Sequence, residues 1–135
     1  MVKITGEYQG DLHCTAVHEP SGNSLATDAP RDNQGRGEAF SPTDLVATAF
    51  GTCIATTMAI VAQRHGVELK GIRFEVTKEM STDAPRRISR LYARLFLPLA
   101  ARGVPEGLLE RTANSCPVHK SLAPELEKVI ELVWE

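Results

Sequence analysis

A chain of 135 residues is the size of one ordinary domain, and 1–135 is read here as one. With 42% hydrophobic and 24% charged residues it has the composition of a soluble globular protein, while 5% aromatics leave the core to Leu, Val, Ile and Ala. A net charge of −2, with basic residues spread along the chain, removes any electrostatic case for a nucleic-acid partner.

Residues 2 to 18, "VKITGEYQGDLHCTAVH", alternate loosely around Gln9-Gly10-Asp11 and predict a β-hairpin. "EPSGNS" is a turn, "LATDAP" a short strand ending at Pro30, and "RDNQGRGEAF" a polar Gly-rich loop. Ser41-Pro42-Thr43-Asp44 is a capping box with Pro at the first helical position. It opens a helix that runs to about His65, where Gly66 stops it. Ala47, Ala49, Gly51, Ala55 and Ala59 let another helix come close. The helix is apolar around most of its circumference, which predicts a central position, with a sheet on one side and a helix or subunit on the other. "LKGIRFEVTKEM" and "RISRLYARLFL" are strands, the second with Ile88, Leu91, Ala93, Leu95 and Leu97 mostly on one alternation. A second helix is expected from near Pro105 to about Ser115, then a turn "PVHKSLAP" and a closing strand "LEKVIELVWE" whose charges read as a solvent face. The sum is an α+β domain with antiparallel strands.

Met1 to Gly6 lacks the apolar run of a signal peptide. Leu45 to Ala62 is the most apolar stretch, but Thr48, Thr52, Thr56 and Thr57 interrupt it, and no membrane span is expected. The expected compartment is the cytoplasm. Three cysteines there make no disulfide framework, so any disulfide would be transient and catalytic.

Cys53 lies on the helical stripe Val46, Ala49, Phe50, Cys53, Thr57, Ile60, where a free cysteine reads first as a small hydrophobe. Cys116 stands before a proline near a chain reversal, where a cysteine can be well exposed. If "PVHKSL" forms a helical turn, Cys116 sits at its N-terminus, where the dipole favours thiolate, with His119 and Lys120 adding positive character. Cys14, in a strand beside His13, reads as structural. A zinc site from Cys14, Cys116, His119 and another histidine would have only a C-x2-H spacing, so no metal and no cofactor are expected.

"FSPTDLVATAFGTCIATTMAIVAQRHG", followed after the next helix by "CPVHKSL", resembles the OsmC-like family, the osmotically inducible protein C and organic hydroperoxide resistance group. The resemblance covers nearly the whole chain and is nearer the general OsmC-like branch. It implies antiparallel sheets wrapped around central helices in an intertwined homodimer, with active sites at the subunit interface. It also implies a peroxidatic Cys53 and a resolving Cys116. In that cycle Cys53 attacks a hydroperoxide, its sulfenic acid condenses with Cys116, and a dithiol reductant of lipoyl or thioredoxin type restores both thiols. The apolar surround suits organic hydroperoxides, with hydrogen peroxide a second substrate, and Phe50 and Met58 would floor the pocket.

The chain departs from the hydroperoxide-resistance pattern at the groups that activate the thiol. Those members carry Glu directly after the helix-opening Pro. Here that position is Thr43, and the acid is Asp44. They also carry an Arg in the N-terminal strands, whereas the first arginine here is Arg31, with Arg36 next. Arg31, Arg36, Asp44, Glu38 and His119 are therefore the candidates for activating Cys53 or Cys116. Asp44 lies nine residues before Cys53, roughly 13 Å along a helix and about half a turn around it, so it cannot reach Cys53 along one straight helix. These departures keep a second function open, a non-peroxidase dimer that binds a small apolar or thiol ligand in the same interface pocket.

Overall fold

In the computed structural model, which describes residues 1–135, the chain forms two units, Met1–Val46 and Ala47–Glu135. The first is an antiparallel meander of β1 (Ile4–Gly10), β2 (His13–His18) and β3 (Ser24–Asp28). Gly10, Asp11 and Leu12 all take positive φ to reverse the chain between β1 and β2. The β2–β3 register sets His13 opposite Asp28 and Cys14 opposite Thr27. After β3 the loop folds back on the strand end: Asp28 N–H donates to the Phe40 carbonyl, and Gly37 N–H to that of Ala29. Gly35 makes this return possible, because a Cβ there would lie 1.7 Å from the Ala29 carbonyl oxygen. The unit has little core of its own. Thr27 and Asp28 are buried in β3, while Val2, Ile4, Tyr8, Leu12, Leu25 and Phe40 are exposed.

Helix α1 (Pro42–Gln63) begins with the expected capping box. Ser41 Oγ accepts the Asp44 N–H at 3.1 Å, and the Asp44 carboxylate accepts the Ser41 N–H at 2.9 Å. The helix ends at Gln63, and Gly66 follows at φ 70°. Its buried residues are Ala47, Phe50, Gly51, Ile54, Met58 and Ala62, a single stripe at three- and four-residue spacing. Burial all round is therefore not what the single chain provides: Thr52, Thr56 and Ile60 are exposed. The expectation about membrane spans also needs correction. By length and composition α1 is long and apolar enough to cross a bilayer, with a mean hydropathy of 1.9 over 18 residues, because four threonines lower that mean only slightly. In the fold its buried stripe packs into a protein core.

The second unit completes α1 with a sheet in the order β4-β5-β6, formed by β4 (Arg73–Met80), β5 (Ile88–Leu97) and β6 (Glu127–Trp134). Leu91, Ala93, Leu95 and Leu97 of β5 are buried on one alternation, as the pattern predicts, and face the α1 stripe's core cluster. Gly51 lets α1 approach β4, since a Cβ there would meet the Phe74 ring at 2.7 Å and Val76 at 2.8 Å. The pairing β4–β5 is antiparallel, but β5–β6 is parallel, which corrects the all-antiparallel expectation. The crossover that parallel pairing requires is the segment holding α2 (Leu108–Ala113) and α3 (Pro117–Ser121). Helix α2 starts later than Pro105 because Gly107, at φ 77°, sits at its N-cap in a left-handed conformation. Facing β5, the charges of β6 are paired: Glu127 with Arg90 at 3.5 Å and Glu131 with Arg94 at 3.1 Å.

Candidate active site

Cys53 sits mid-way along α1, one residue before the fully buried Ile54 and three after the fully buried Phe50. It is half-buried, and its Sγ lies 3.9 Å from Thr57 Oγ1, one turn on. Cys116 reaches the same place from the other end of the unit. Helix α2 closes with Asn114 N–H on the Glu110 carbonyl, and Pro117 then opens α3 as its first helical residue. Cys116 is the N-cap of α3, and its Sγ accepts the His119 N–H at 3.4 Å. The helical turn expected after Cys116 therefore forms.

Cys116 is not exposed, although its place before a proline near a chain reversal would allow it. It is wholly buried, because it follows the buried Thr112 and Ala113 face of α2 into the core cluster. Cys53 packs against the same core cluster, near enough for its thiol to bear on the ionisation of Cys116. Burial pushes the Cys116 thiol up from its ordinary value. The His119 N–H pulls the other way, and the adjoining Cys53 adds to the rise. The N-cap position thus fails to make Cys116 a thiolate, since desolvation outweighs the pull of the His119 and Val118 backbone N–H groups. Both thiols are free.

His119 does not supply positive charge. Burial, then the charges of Lys128 and Lys120, hold its imidazole below the ordinary 6.5, so it is neutral at pH 7. Its ring stands 6.1 Å from that of Phe50, centroid to centroid, and its Nδ1 is buried without a hydrogen-bond partner. Phe50 and Met58 are wholly buried and belong to the closed core. The arrangement is a half-accessible thiol next to a fully desolvated one, walled by apolar side chains and a neutral imidazole. Such a pair can be oxidised at the accessible sulfur and closed by the buried one.

The other candidate residues lie in the first unit. Asp44 is engaged in the capping box. Arg31 Nε donates to the Arg36 carbonyl at 3.1 Å. Arg36 Nη1 pairs with Glu38 Oε1 at 3.6 Å. Sequence reasoning missed what stands on the far side of Glu38: its Oε2 is 3.4 Å from His13 Nε2, which also lies 3.6 Å from Asp28 Oδ1. Only the strand register and the loop's return bring these three together. The one signal in the sequence was the hairpin alternation that sets His13 across from the end of β3.

Comparison with known proteins follows the same lines. The model of the family described as OsmC-like protein matches residues 35–131. No curated protein matches the sequence significantly. A crystal structure of a candidate osmotic-stress-induced and detoxification-response protein from Psychrobacter arcticus 273-4 is 40% identical. The match covers 99% of this chain and 94% of that one, with a TM-score of 0.83. An OsmC-like protein from Mycoplasma pneumoniae shares the fold at 17% identity, covering 99% and 96% of the two chains with a TM-score of 0.76. So does an organic hydroperoxide resistance protein OsmC from Legionella pneumophila, at 14% identity, 98% and 96% coverage and a TM-score of 0.73. On the matched residues, the 40% identical relative and the shared α+β architecture, the chain belongs to the OsmC-like family.

Proposed function

We propose that the protein is a two-cysteine peroxidase that reduces organic hydroperoxides in the cytoplasm. The observation that carries this reading is the adjacency of the Cys53 and Cys116 thiols, one half-accessible and the other wholly buried. Membership of a family that includes a hydroperoxide-resistance protein supports it.

The difference in burial supports the division of roles. The Cys53 sulfur, as thiolate, attacks the terminal oxygen of the hydroperoxide. The O–O bond breaks, the alkoxide leaves and takes up a proton as the alcohol, and Cys53 becomes a sulfenic acid. Cys116 keeps its proton before this step, because burial holds its pKa up. Its sulfur then attacks the sulfenic sulfur, water leaves, and a disulfide closes. A dithiol of lipoyl or thioredoxin type reduces that disulfide by exchange, so the cycle consumes two thiols per peroxide. The apolar walls favour alkyl and aryl hydroperoxides over hydrogen peroxide.

A homodimer fits the same reading. The first unit exposes seven large apolar side chains on and around a three-stranded sheet, more than such a sheet tolerates in water alone.

Turnover of cumene hydroperoxide with dihydrolipoamide, thioredoxin and glutathione as reductants tests the proposal. The wild type is expected to turn over with a dithiol. Cys53→Ser is expected to be inactive, and Cys116→Ser to lose dithiol-driven turnover by about a hundredfold or more. Equal activity of Cys53→Ser and wild type would overturn the proposal. Inert thiols together with binding of a small apolar or thiol compound would favour the ligand-binding dimer instead.

A further inference from the structure

His13, Asp28 and Glu38 present one nitrogen and two carboxylate oxygens within 4.8 Å of one another, all in the first unit and apart from the two thiols' own unit. Two features make this more than a cluster of acids. First, His13 Nδ1 is 2.7 Å from the Asp11 carbonyl oxygen. A carbonyl only accepts, so Nδ1 carries the hydrogen, and Nε2 is the nitrogen turned toward the two carboxylates. A backbone carbonyl behind the imidazole is the usual way a metal-ligating histidine is oriented. Second, the Asp28 side chain is wholly buried, and its Oδ1 faces Nε2 with no hydrogen-bond partner. Its other oxygen accepts the Glu38 N–H at 3.0 Å, which fixes the carboxylate. A buried carboxylate oxygen left unsatisfied calls for a cation.

The distances say which cation. Nε2 lies 3.6 Å from Asp28 Oδ1 and 3.4 Å from Glu38 Oε2, too long for hydrogen bonds from an imidazolium. They match the edge of about 3.3 Å of a tetrahedron with metal–ligand bonds of about 2.0–2.1 Å. Glu38 Oε1 is occupied by Arg36, which leaves Oε2 for the site, and the half-exposed Glu38 carboxylate gives an entry route above the buried Asp28.

The geometry points to a binding site for a divalent transition-metal cation, held by His13 Nε2, Asp28 Oδ1 and Glu38 Oε2 with a fourth position open to water. One imidazole and two carboxylates suit zinc, cobalt, iron or manganese rather than magnesium or calcium. The ion would tie the Gly-rich loop to β2 and β3. The sequence reading expected no metal because it looked for short-spaced cysteine and histidine ligands, whereas these donors are spread from residue 13 to residue 38.

Cobalt titration of the reduced, chelator-treated protein tests the proposal, followed by absorbance and thermal denaturation. The expected result is one equivalent bound, visible d–d bands of a four- or five-coordinate N/O site, no near-ultraviolet thiolate-to-cobalt charge transfer, and a raised Tm. Glu38→Gln and His13→Gln, checked for an unchanged circular dichroism spectrum, are expected to bind on the order of 10–100-fold more weakly or worse. A thiolate charge-transfer band, no stoichiometric binding, or equal affinity in folded Glu38→Gln and wild type would each overturn it.

Discussion

At the residue scale the proposed reaction turns on how burial differs between two neighbouring thiols. Cys53 is open to solvent on one side, while Cys116 is sealed and held protonated by desolvation. His119, beside them, is neutral for the same reason. Its pKa is depressed first by burial and then by Lys128 and Lys120, so its imidazole takes up a proton only below its ordinary 6.5. Proton NMR titration of the His119 ring is expected to give a midpoint below 6.5. A midpoint above 7 would mean that an imidazolium faces the thiols and would remove this description of the site. Cys53 and Cys116 were singled out through the family resemblance that their two motifs carry; the residues alone read Cys53 first as a small hydrophobe. The burial of Cys116 and the charge state of His119 were not legible in the sequence. The first depends on the packing of α2, the second on Lys128 in β6, and neither leaves a local pattern.

At the element scale, periodicity carried most of the structure. The capping box of α1 and the alternation of β5 appear where the residues put them. The parallel pairing of β6 did not show, since a half-buried strand alternates identically in either direction, and direction is set by the crossover through α2 and α3. That pairing has a consequence for stability. Tyr92 on β5 donates its hydroxyl to Glu131 on β6, in line with Arg94. The bond from Tyr92 is the chief cause that lowers the Glu131 carboxyl from 4.5, and burial only partly opposes it. The same bond is the chief cause that raises the Tyr92 hydroxyl from 10.0. Glu131, with its folded pKa depressed, contributes stability above 4.5 that is lost as pH falls through its folded value. Tyr92, with its folded pKa raised, contributes stability below 10 that is lost as pH rises through its folded value. Tyr92→Phe is therefore expected to lower Tm most between these limits and to flatten both the acid and the alkaline limbs. Superimposable Tm–pH curves for variant and wild type would show that the contact contributes nothing.

At the scale of the whole molecule, the two units are unequal. The second has a closed core of Phe50, Ile54, Met58, Leu91, Leu95 and Leu109, whereas the first buries little more than Thr27 and Asp28. In the proposed dimer a sheet that thin is completed by association, and light scattering is expected to give twice the chain mass at micromolar concentration. A monomer that stays folded would contradict the dimer. The α+β class and the family motifs were readable from the chain alone. The His13, Asp28 and Glu38 grouping was not, because it exists only once β2 and β3 are in register and the loop has returned. The central claim is that peroxide joins Cys53 to Cys116, and intact-mass analysis after one equivalent of cumene hydroperoxide tests it most directly. The account predicts rapid loss of about two mass units and of two free thiols in the wild type. It predicts a trappable sulfenic acid in Cys116→Ser and no reaction in Cys53→Ser. Wild-type thiols that survive excess peroxide unchanged would contradict it.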